Sequence, residues 1–276
     1  MDIVTQTPFS TERQVAIDAA RRAADYLKAN QHRAEIQQIK SGPTDYATAQ
    51  DIAAEKLIME AIHKRFPNDA VLAEESHTLQ SDAERLWIVD PIDGTRNYAN
   101  GLHHFAVSIA FCYHNAVQAG VVYAPCDGDE LFCAERSHGA FLNDEPLQMA
   151  APSQSLASSL VATGFAYYLG AELHRHVQTL ERVMNAATDV LRLGSAATDI
   201  CYVAAGRLGA YYESGLKPWD VAAASLIVEE AGGRVSDVAG APLNIVPDNE
   251  TAFVLNVLVA KNLDIHQQLI PLLEAV

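Results

Sequence analysis

Apolar residues recur along this chain in two rhythms. Between 11 and 30, Val15, Ala16, Ala19, Ala20, Ala23, Ala24 and Leu27 fall at helical spacing, and Thr11 with Gln14 forms a capping-box pattern at the start. A second helix is expected over 49–66, stopped by Pro67. Shorter apolar runs predict strands. One covers 71–73 and ends in Glu74-Glu75. Another is Leu86-Trp87-Ile88-Val89, which drives into Asp90-Pro91-Ile92-Asp93-Gly94-Thr95-Arg96-Asn97-Tyr98. Residues 105–113 and 116–123 read as a strand pair with His114-Asn115 near the turn, and further strands are expected at 130–134, 139–142, 160–163, 189–193, 208–213 and 252–260. Helices over 171–187, 195–205, 220–231 and 263–273 complete the pattern, the second and third closed by Gly206 and Gly232-Gly233. Lys40-Ser41-Gly42-Pro43-Thr44-Asp45 reads as a loop. The small polar stretch 152–159 can join two halves, about 1–150 and about 151–276. Hairpins and crossovers are mixed, which fits a layered α/β sandwich better than a purely doubly wound sheet.

With 276 residues, 49% of them hydrophobic, the chain can bury a sizeable core and is not globally disordered. Its formal net charge of −16 argues against non-specific binding to nucleic acid or anionic membrane, both of which need basic patches. The same charge repels a phosphate substrate unless a cation sits in the site, and bound metal is the natural cation. Cys112, Cys126, Cys133 and Cys201 form no C-x-x-C pair and read as buried, reduced thiols. Met1-Asp2-Ile3-Val4-Thr5 lacks the basic and apolar regions of a signal peptide, and no apolar run reaches the ~18–20 residues that span a bilayer. The expectation is a cytoplasmic protein with no membrane and no nucleic-acid partner.

Candidate chemistry centres on Asp90 and Asp93. Two carboxylates this close repel, so one takes up a proton or both ligate a divalent cation. On their own they read better as a turn cap, Asp90, and a solvated side chain, Asp93. Gly94 and Thr95 change this, because a glycine turn lets backbone N–H groups cradle an anion and the Thr95 hydroxyl can hold a water. Glu74 can point at the same metal, or can simply open a surface loop with Glu75. Asp220 starts a helix after Trp219 and is either its cap, a metal ligand, or both. Asp51, three residues after Thr48, makes a capping-box pattern and alternatively orients Thr95. Gly194-Ser195-Ala196-Ala197 is a second strand-to-helix turn, able to bind hydroxyls or phosphate, or a plain serine cap. Glu213 ends a strand and can accept substrate hydroxyls, or be solvated. His174 and His176 are spaced i, i+2 on a helix and face apart; no histidine metal motif is present.

These segments resemble the inositol monophosphatase family. Trp87-Ile88-Val89-Asp90-Pro91-Ile92-Asp93-Gly94-Thr95 is similar to its first signature, and Trp219-Asp220-Val221-Ala222-Ala223-Ala224 through Gly232-Gly233 to its second. Ala73-Glu74-Glu75-Ser76, the segments 40–45 and 48–51, Gly194-Ser195-Ala196-Ala197 and Tyr211-Tyr212-Glu213 match further elements in order, from about residue 10 to 262. The resemblance implies a five-layer αβαβα sandwich, a homodimer, and Mg²⁺-dependent hydrolysis of a small phosphate monoester such as inositol monophosphate, with inhibition by Li⁺ and room for Ca²⁺ at the same oxygen sites. It implies that Glu74, Asp90 and the Ile92 carbonyl hold one metal, that Asp90, Asp93 and Asp220 hold a second, and that Glu74 helps with a third. It assigns Thr95, Asp51 and Glu74 to the attacking water, the N–H groups of Gly94 and Thr95 to the phosphate, and Asp93, Gly194, Ser195, Ala196, Glu213 and Asp220 to substrate contacts.

Arg96 departs from the smaller residue that inositol-phosphate members often carry. It points toward other phosphates: histidinol phosphate, a phosphoadenosine phosphate, or a substrate with a second anionic group such as fructose 1,6-bisphosphate. Two other readings stand beside this one. An aspartyl-phosphate phosphatase of the haloacid dehalogenase type needs Asp-x-Asp, whereas Pro91-Ile92 here put two residues between the aspartates. A non-catalytic metal-binding interaction protein would keep the fold, but would be expected to lose some of Glu74, Asp90, Asp93, Thr95 and Asp220, all of which are present.

Overall fold

Leu86 and Ile88 face one side of a strand, Trp87 and Val89 the other, and all four are buried, so their sheet must be covered on both faces. The computed structural model describes residues 7–42, 45–76, 83–149, 155–165, 170–246 and 253–273. Its first half runs α1 (Ser10–Asn30), β1 (Ile36–Gly42), β2 (Asp45–Thr48), α2 (Ala49–Arg65), β3 (Ala70–Ala73), β4 (Arg85–Asp93), α3 (Thr95–Ala99), β5 (Ala106–Tyr113), β6 (Ala116–Ala124), β7 (Glu130–Glu135), β8 (Ala140–Leu142) and β9 (Glu145–Leu147). The second continues with β10 (Leu160–Thr163), α4 (Leu173–Ala186), β11 (Asp189–Leu191), α5 (Ala196–Ala204), β12 (Ala210–Leu216), α6 (Pro218–Glu230), β13 (Arg234–Asp237), β14 (Leu255–Ala260) and α7 (Leu263–Leu273).

The elements form the five-layer sandwich. A seven-stranded sheet, β3-β4-β5-β6-β7-β8-β9, and a five-stranded sheet, β11-β10-β12-β14-β13, are separated by α5 and α6. Helices α1 and α2 cover the outer face of the first sheet, and α4 with α7 that of the second. Three apolar clusters fill the gaps between layers, and strand parity assigns residues to them. On β14, Val257 and Val259 face α5 and α6 while Leu258 and Ala260 face α7. The middle layer sits close to its sheet: a Cβ on Gly120 of β6 would lie 2.6 Å from the Ala223 carbonyl oxygen of α6.

Several local expectations change. The first helix starts at Ser10 with no side-chain cap, because Glu135, buried on β7, accepts hydrogen bonds from the Phe9 N–H (2.8 Å) and the Thr7 hydroxyl. A tertiary carboxylate replaces the Thr11 box. The segment expected as a loop over 40–45 belongs instead to the antiparallel β1–β2 pair; its Pro43 and Thr44 lie outside the described residues, as do 1–5, His77, Thr78, residues 152–154 and Ala252. Strands β9 and β13 were not expected. Each is short, polar and at a sheet edge, and β9 contains Pro146, which an edge tolerates. Three cysteines are buried as expected, and Cys126 is only half-buried. Among the described residues no helix is long and apolar enough to cross a membrane.

Candidate metal and phosphate site

Asp90 and Asp93 are three residues apart, and in a regular strand that spacing puts them on opposite faces. The sequence suggested that the strand ends at Asp90. It continues to Asp93 through a bulge: Asp90 pairs with Ser108 and Asp93 with Ala106, so three steps on β4 match two on β5. The extra residue resets the parity, and Pro91 sits where the ladder is already interrupted. Both carboxylates then turn to one side. One oxygen each of Asp90, Asp93 and Asp220 lie within 4.8 Å of one another.

Asp220 arrives from α6. Pro218 opens that helix, and the Lys217 N–H donates to Asp220 Oδ2 at 2.7 Å. Ser108, opposite Asp90 on β5, donates its hydroxyl to the Trp219 carbonyl at 3.1 Å and so ties this helix start to β5. Cap and cluster member coincide in one residue. Burial, then the charges of Glu74, Asp93 and Asp220, push the Asp90 carboxyl well above its ordinary range. Burial and the neighbouring Asp93 and Glu74 do the same to Asp220. Asp93 reaches about 6 through burial, restrained by the Ser195 hydroxyl and the Ala197 N–H.

Glu74 follows β3, and its carboxyl contacts that of Asp90. Lys40 of β1 reaches over it, with Nζ 2.7 Å from Glu74 Oε1 and 2.8 Å from Glu75 Oε1. The Glu75 N–H is held at 2.8 Å by Glu55 of α2, one turn after Asp51. The same face of α2 supplies Asp51, which completes the capping box with Thr48 and also stands 3.0 Å from Thr95 Oγ1. Thr95 Oγ1 is equally 3.0 Å from the Ile92 carbonyl oxygen. Burial, opposed by the Thr48 hydrogen bonds, raises Asp51 to about 6.

The Gly194 turn faces the Gly94 turn. Gly94 and Gly194 have φ of 96° and 99°, and a Cβ on Gly94 would lie 3.1 Å from the Gly194 carbonyl oxygen. Asn97 of α3 bridges the two turns, Nδ2 donating to His104 O at 2.7 Å and Leu193 O at 2.9 Å. Ser195, expected on substrate, is buried and directs its hydroxyl to Asp93, as do the N–H groups of Ala196 (3.2 Å) and Ala197 (2.8 Å). The start of α5 thus holds a cluster carboxylate. Glu213 lines the far wall. Its carboxylate accepts the Tyr211 hydroxyl and occupies the space a side chain at residue 164 would need, since a Cβ on Gly164 would be 1.9 Å from Oε2. Burial raises Glu213 to about 7 against the pull of Tyr211.

These residues surround one cavity of about 550 Å³, lined by Glu74, Asp90, Ile92, Asp93, Gly94, Thr95, Gly194, Ala196, Glu213 and Asp220, with Lys40, Arg96, Arg192 and Lys217 also on its wall. Carboxylate and carbonyl oxygens are hard donors, and the mutual repulsion of three clustered carboxylates is what a divalent cation relieves; the donor set fits Mg²⁺ or Ca²⁺. Ser108 and Gly164 were not singled out from sequence, and Asn97 and Tyr211 stood in named segments without a role of their own. Each acts through a tertiary contact that no spacing marks.

The chain is a member of the inositol monophosphatase family, whose model matches residues 9–276. Nus factor SuhB of Pasteurella multocida is 40% identical over 228 residues, covering 82% of this chain and 85% of the relative. Nus factor SuhB of Haemophilus influenzae is 41% identical over 225 residues, covering 81% and 84%. The structure of extragenic suppressor protein suhB from Bartonella henselae superposes with a TM-score of 0.86 at 35% identity, over 96% of this chain and 99% of that one. The Thermotoga maritima IMPase superposes at 0.84 and 32% identity, over 96% and 97%.

Proposed function

We propose that the protein hydrolyses a small phosphate monoester with Mg²⁺, inositol monophosphate being the first candidate. The convergence of Asp90, Asp93 and Asp220 beside the Asp51–Thr95 pair carries this reading. Asp90, Asp93, Asp220, Glu74 and the Ile92 carbonyl would hold two or three Mg²⁺ ions. Bound there, these would neutralise phosphate charge and acidify a water. The Gly94 and Thr95 N–H groups orient the phosphate. The Thr95 hydroxyl has one proton and two acceptors within 3.0 Å, Asp51 and the Ile92 carbonyl. Donating to Asp51, it can accept a hydrogen bond from the attacking water, so that the water's proton passes to Thr95 as the Thr95 proton passes to Asp51. Glu74 assists from the other side of the cluster, and Glu213 with the Gly194 turn receives the alcohol hydroxyls. The start of α5 orients Asp93 and keeps water from its rear face.

The test is phosphate release from a panel of monoesters with Mg²⁺, with EDTA and with added Li⁺. Release from inositol monophosphate that requires Mg²⁺ and falls with Li⁺ supports the reading; a blank panel sinks it. The panel should include bisphosphates. Arg192 lines the cavity, where its charge acts on Glu213 and Asp199, and with Arg96 and Lys217 it favours substrates carrying a second anionic group as the alternative. A homodimer is supported by α4, where Leu173, Val177 and Met184 stand exposed along one face; sedimentation of the full chain tests it.

A second reading comes from the relatives named Nus factor SuhB. If this chain shares that role, it acts by docking on a partner, and the charge of −16 favours a protein surface over bare nucleic acid. An Asp93→Asn variant that loses phosphatase activity and keeps its cellular role would favour this second role.

A further inference from the structure

The reaction above leaves His104 unused. Its ring, in the loop between α3 and β5, lies between two carboxylates: Nε2 is 2.8 Å from Asp199 Oδ1 and Nδ1 is 3.2 Å from Asp127 Oδ2. An acceptor at each nitrogen is satisfied only by the imidazolium. Tyr202 donates its hydroxyl to the same Asp127 oxygen at 2.5 Å and packs edge-on against the ring. The Asp199 side chain is 2% exposed, and a carboxylate so enclosed needs a cationic partner to stay ionised.

Asp199 leads to the substrate wall. It lies in the first turn of α5, and its carboxylate accepts from the Gly194 N–H. The main chain of His104 reaches the same place by another route, since Asn97 Nδ2 joins His104 O to Leu193 O. A Cβ on Gly94 would be 3.2 Å from His104 O and 3.1 Å from Gly194 O, so the two glycine turns and His104 meet at one point.

We infer that His104 is a positioning residue for the reaction. Its ring holds Asp199, and Asp199 together with the Asn97 bridge sets the distance between the Gly94 turn and the Gly194 turn. It touches no reacting atom. The kinetic part of this inference rests on the phosphatase reading; the tie itself does not.

The charges that bear on the ring come from several elements. Asp127 follows β6, and Asp199 and Tyr202 lie on α5. Arg207 stacks on Tyr202 at 4.7 Å and pairs with Glu130 of β7; Arg192 acts on Asp199, and Asp93 acts on the His104 ring itself as well as on Asp199. Burial lowers the imidazole pKa, and the two carboxylates more than reverse that, so His104 titrates above its ordinary value. The ring therefore keeps its proton to a higher pH than a free imidazole does, and loses it as pH rises through the raised pKa.

Two measurements on the full-length protein test the inference. In the first, the ring resonances of His104 are followed against pH in the wild type and in Asp199→Asn. The wild-type ring should titrate above 6.5, and the variant ring lower. A wild-type ring titrating at or below 6.5, or one unmoved by the variant, overturns the tie. In the second, His104→Gln and Asp199→Asn are compared with the wild type on the best monoester of the panel. Each should raise KM roughly threefold to tenfold with kcat nearly unchanged. The KM ratio of variant to wild type should shrink toward one as pH passes the His104 pKa, where the wild type loses the same interaction. A fall in kcat at constant KM, or a KM ratio independent of pH, overturns the positioning role. If His104→Gln does not fold, Asp199→Asn and the wild-type titration still decide. A wild type with no turnover defeats the phosphatase reading and leaves the ring titration as the test of the tie.

Discussion

Asp51 Oδ1 and Thr95 Oγ1 stand 3.0 Å apart across 44 positions of sequence, and the same aspartate closes the capping box of α2 with Thr48. One carboxylate therefore fixes a helix start and a hydroxyl of the candidate site. The two roles separate by substitution. Thr95→Ala leaves the box intact and should lower kcat by about 10²–10⁴ with little change in Tm. Asp51→Ala should lose activity and also roughly 1–2 kcal/mol of stability with the cap. Kinetics and thermal melts on both variants check this; equal loss of stability in the two would show that the hydroxyl is structural.

The site was more legible than the way it is assembled. The acidic residues, Thr95 and Glu213 were visible because apolar runs end at them and the segments follow one another in the family's order. The bulge between Asp90 and Asp93 was not visible. Sequence gives a spacing of three, and only the pairing with Ser108 and Ala106 shows that the parity has been reset. The β1–β2 pair was hidden because Ile36 and Ile39, both exposed, are three apart with Gln37 and Gln38 between them and give no two-residue alternation. From sequence Ser195 reads as a substrate contact or a plain serine cap, and neither reading points to the bond that its hydroxyl, with the Ala197 N–H, makes to Asp93.

The clustered carboxylates make stability depend on pH in a direction opposite to the usual acid denaturation. Asp51 and Asp93 titrate at about 6 and Glu213 at about 7 in the folded chain, against an unfolded value of about 4. Between these values the folded state binds more protons than the unfolded, so stability falls as pH rises through them. Mg²⁺ should offset the loss. The Tm in EDTA should fall from about pH 5 to about pH 8, and the gain in Tm on adding Mg²⁺ should be larger at the higher pH. Asp90→Asn, which removes one repelling charge, should raise the Tm in EDTA and reduce the Mg²⁺ response. A Mg²⁺ response that is flat with pH would count against the cluster as the metal site.

Gly120 tests the packing of the middle layer. Its missing side chain lets the Ala223 backbone of α6 rest on β6, and a Cβ would come within 2.6 Å of that carbonyl oxygen. Because α6 carries Asp220 at its start, pushing the helix away moves a metal ligand. Gly120→Ala should cost about 1–3 kcal/mol by overpacking. It should also weaken the Mg²⁺ dependence of activity more than a surface substitution of equal stability cost does. Denaturant unfolding and Mg²⁺ titration of activity measure the two effects; loss of stability with unaltered Mg²⁺ dependence would show that α6 gives way without moving Asp220.

Gly164 tests the far wall in the same way. Gly164 follows β10, and Glu213 lies within the neighbouring parallel strand β12, Thr163 of β10 pairing with Tyr212 of β12. The Glu213 carboxylate lies over residue 164, so closely that a Cβ there would sit 1.9 Å from Oε2. A methyl at this point cannot coexist with the present rotamer. The half-buried carboxylate must swing away and surrender the hydrogen bond from Tyr211. Gly164→Ala should therefore act as a disguised Glu213 variant. KM for a polyol phosphate should rise about tenfold, as expected for losing one hydrogen bond to a charged group. Hydrolysis of an aryl phosphate, which has no hydroxyl for Glu213, should be little changed. Gly164→Ala combined with Glu213→Gln should be no worse than either alone, since both remove one interaction. Additive losses would mean that Gly164 serves the fold and not the wall.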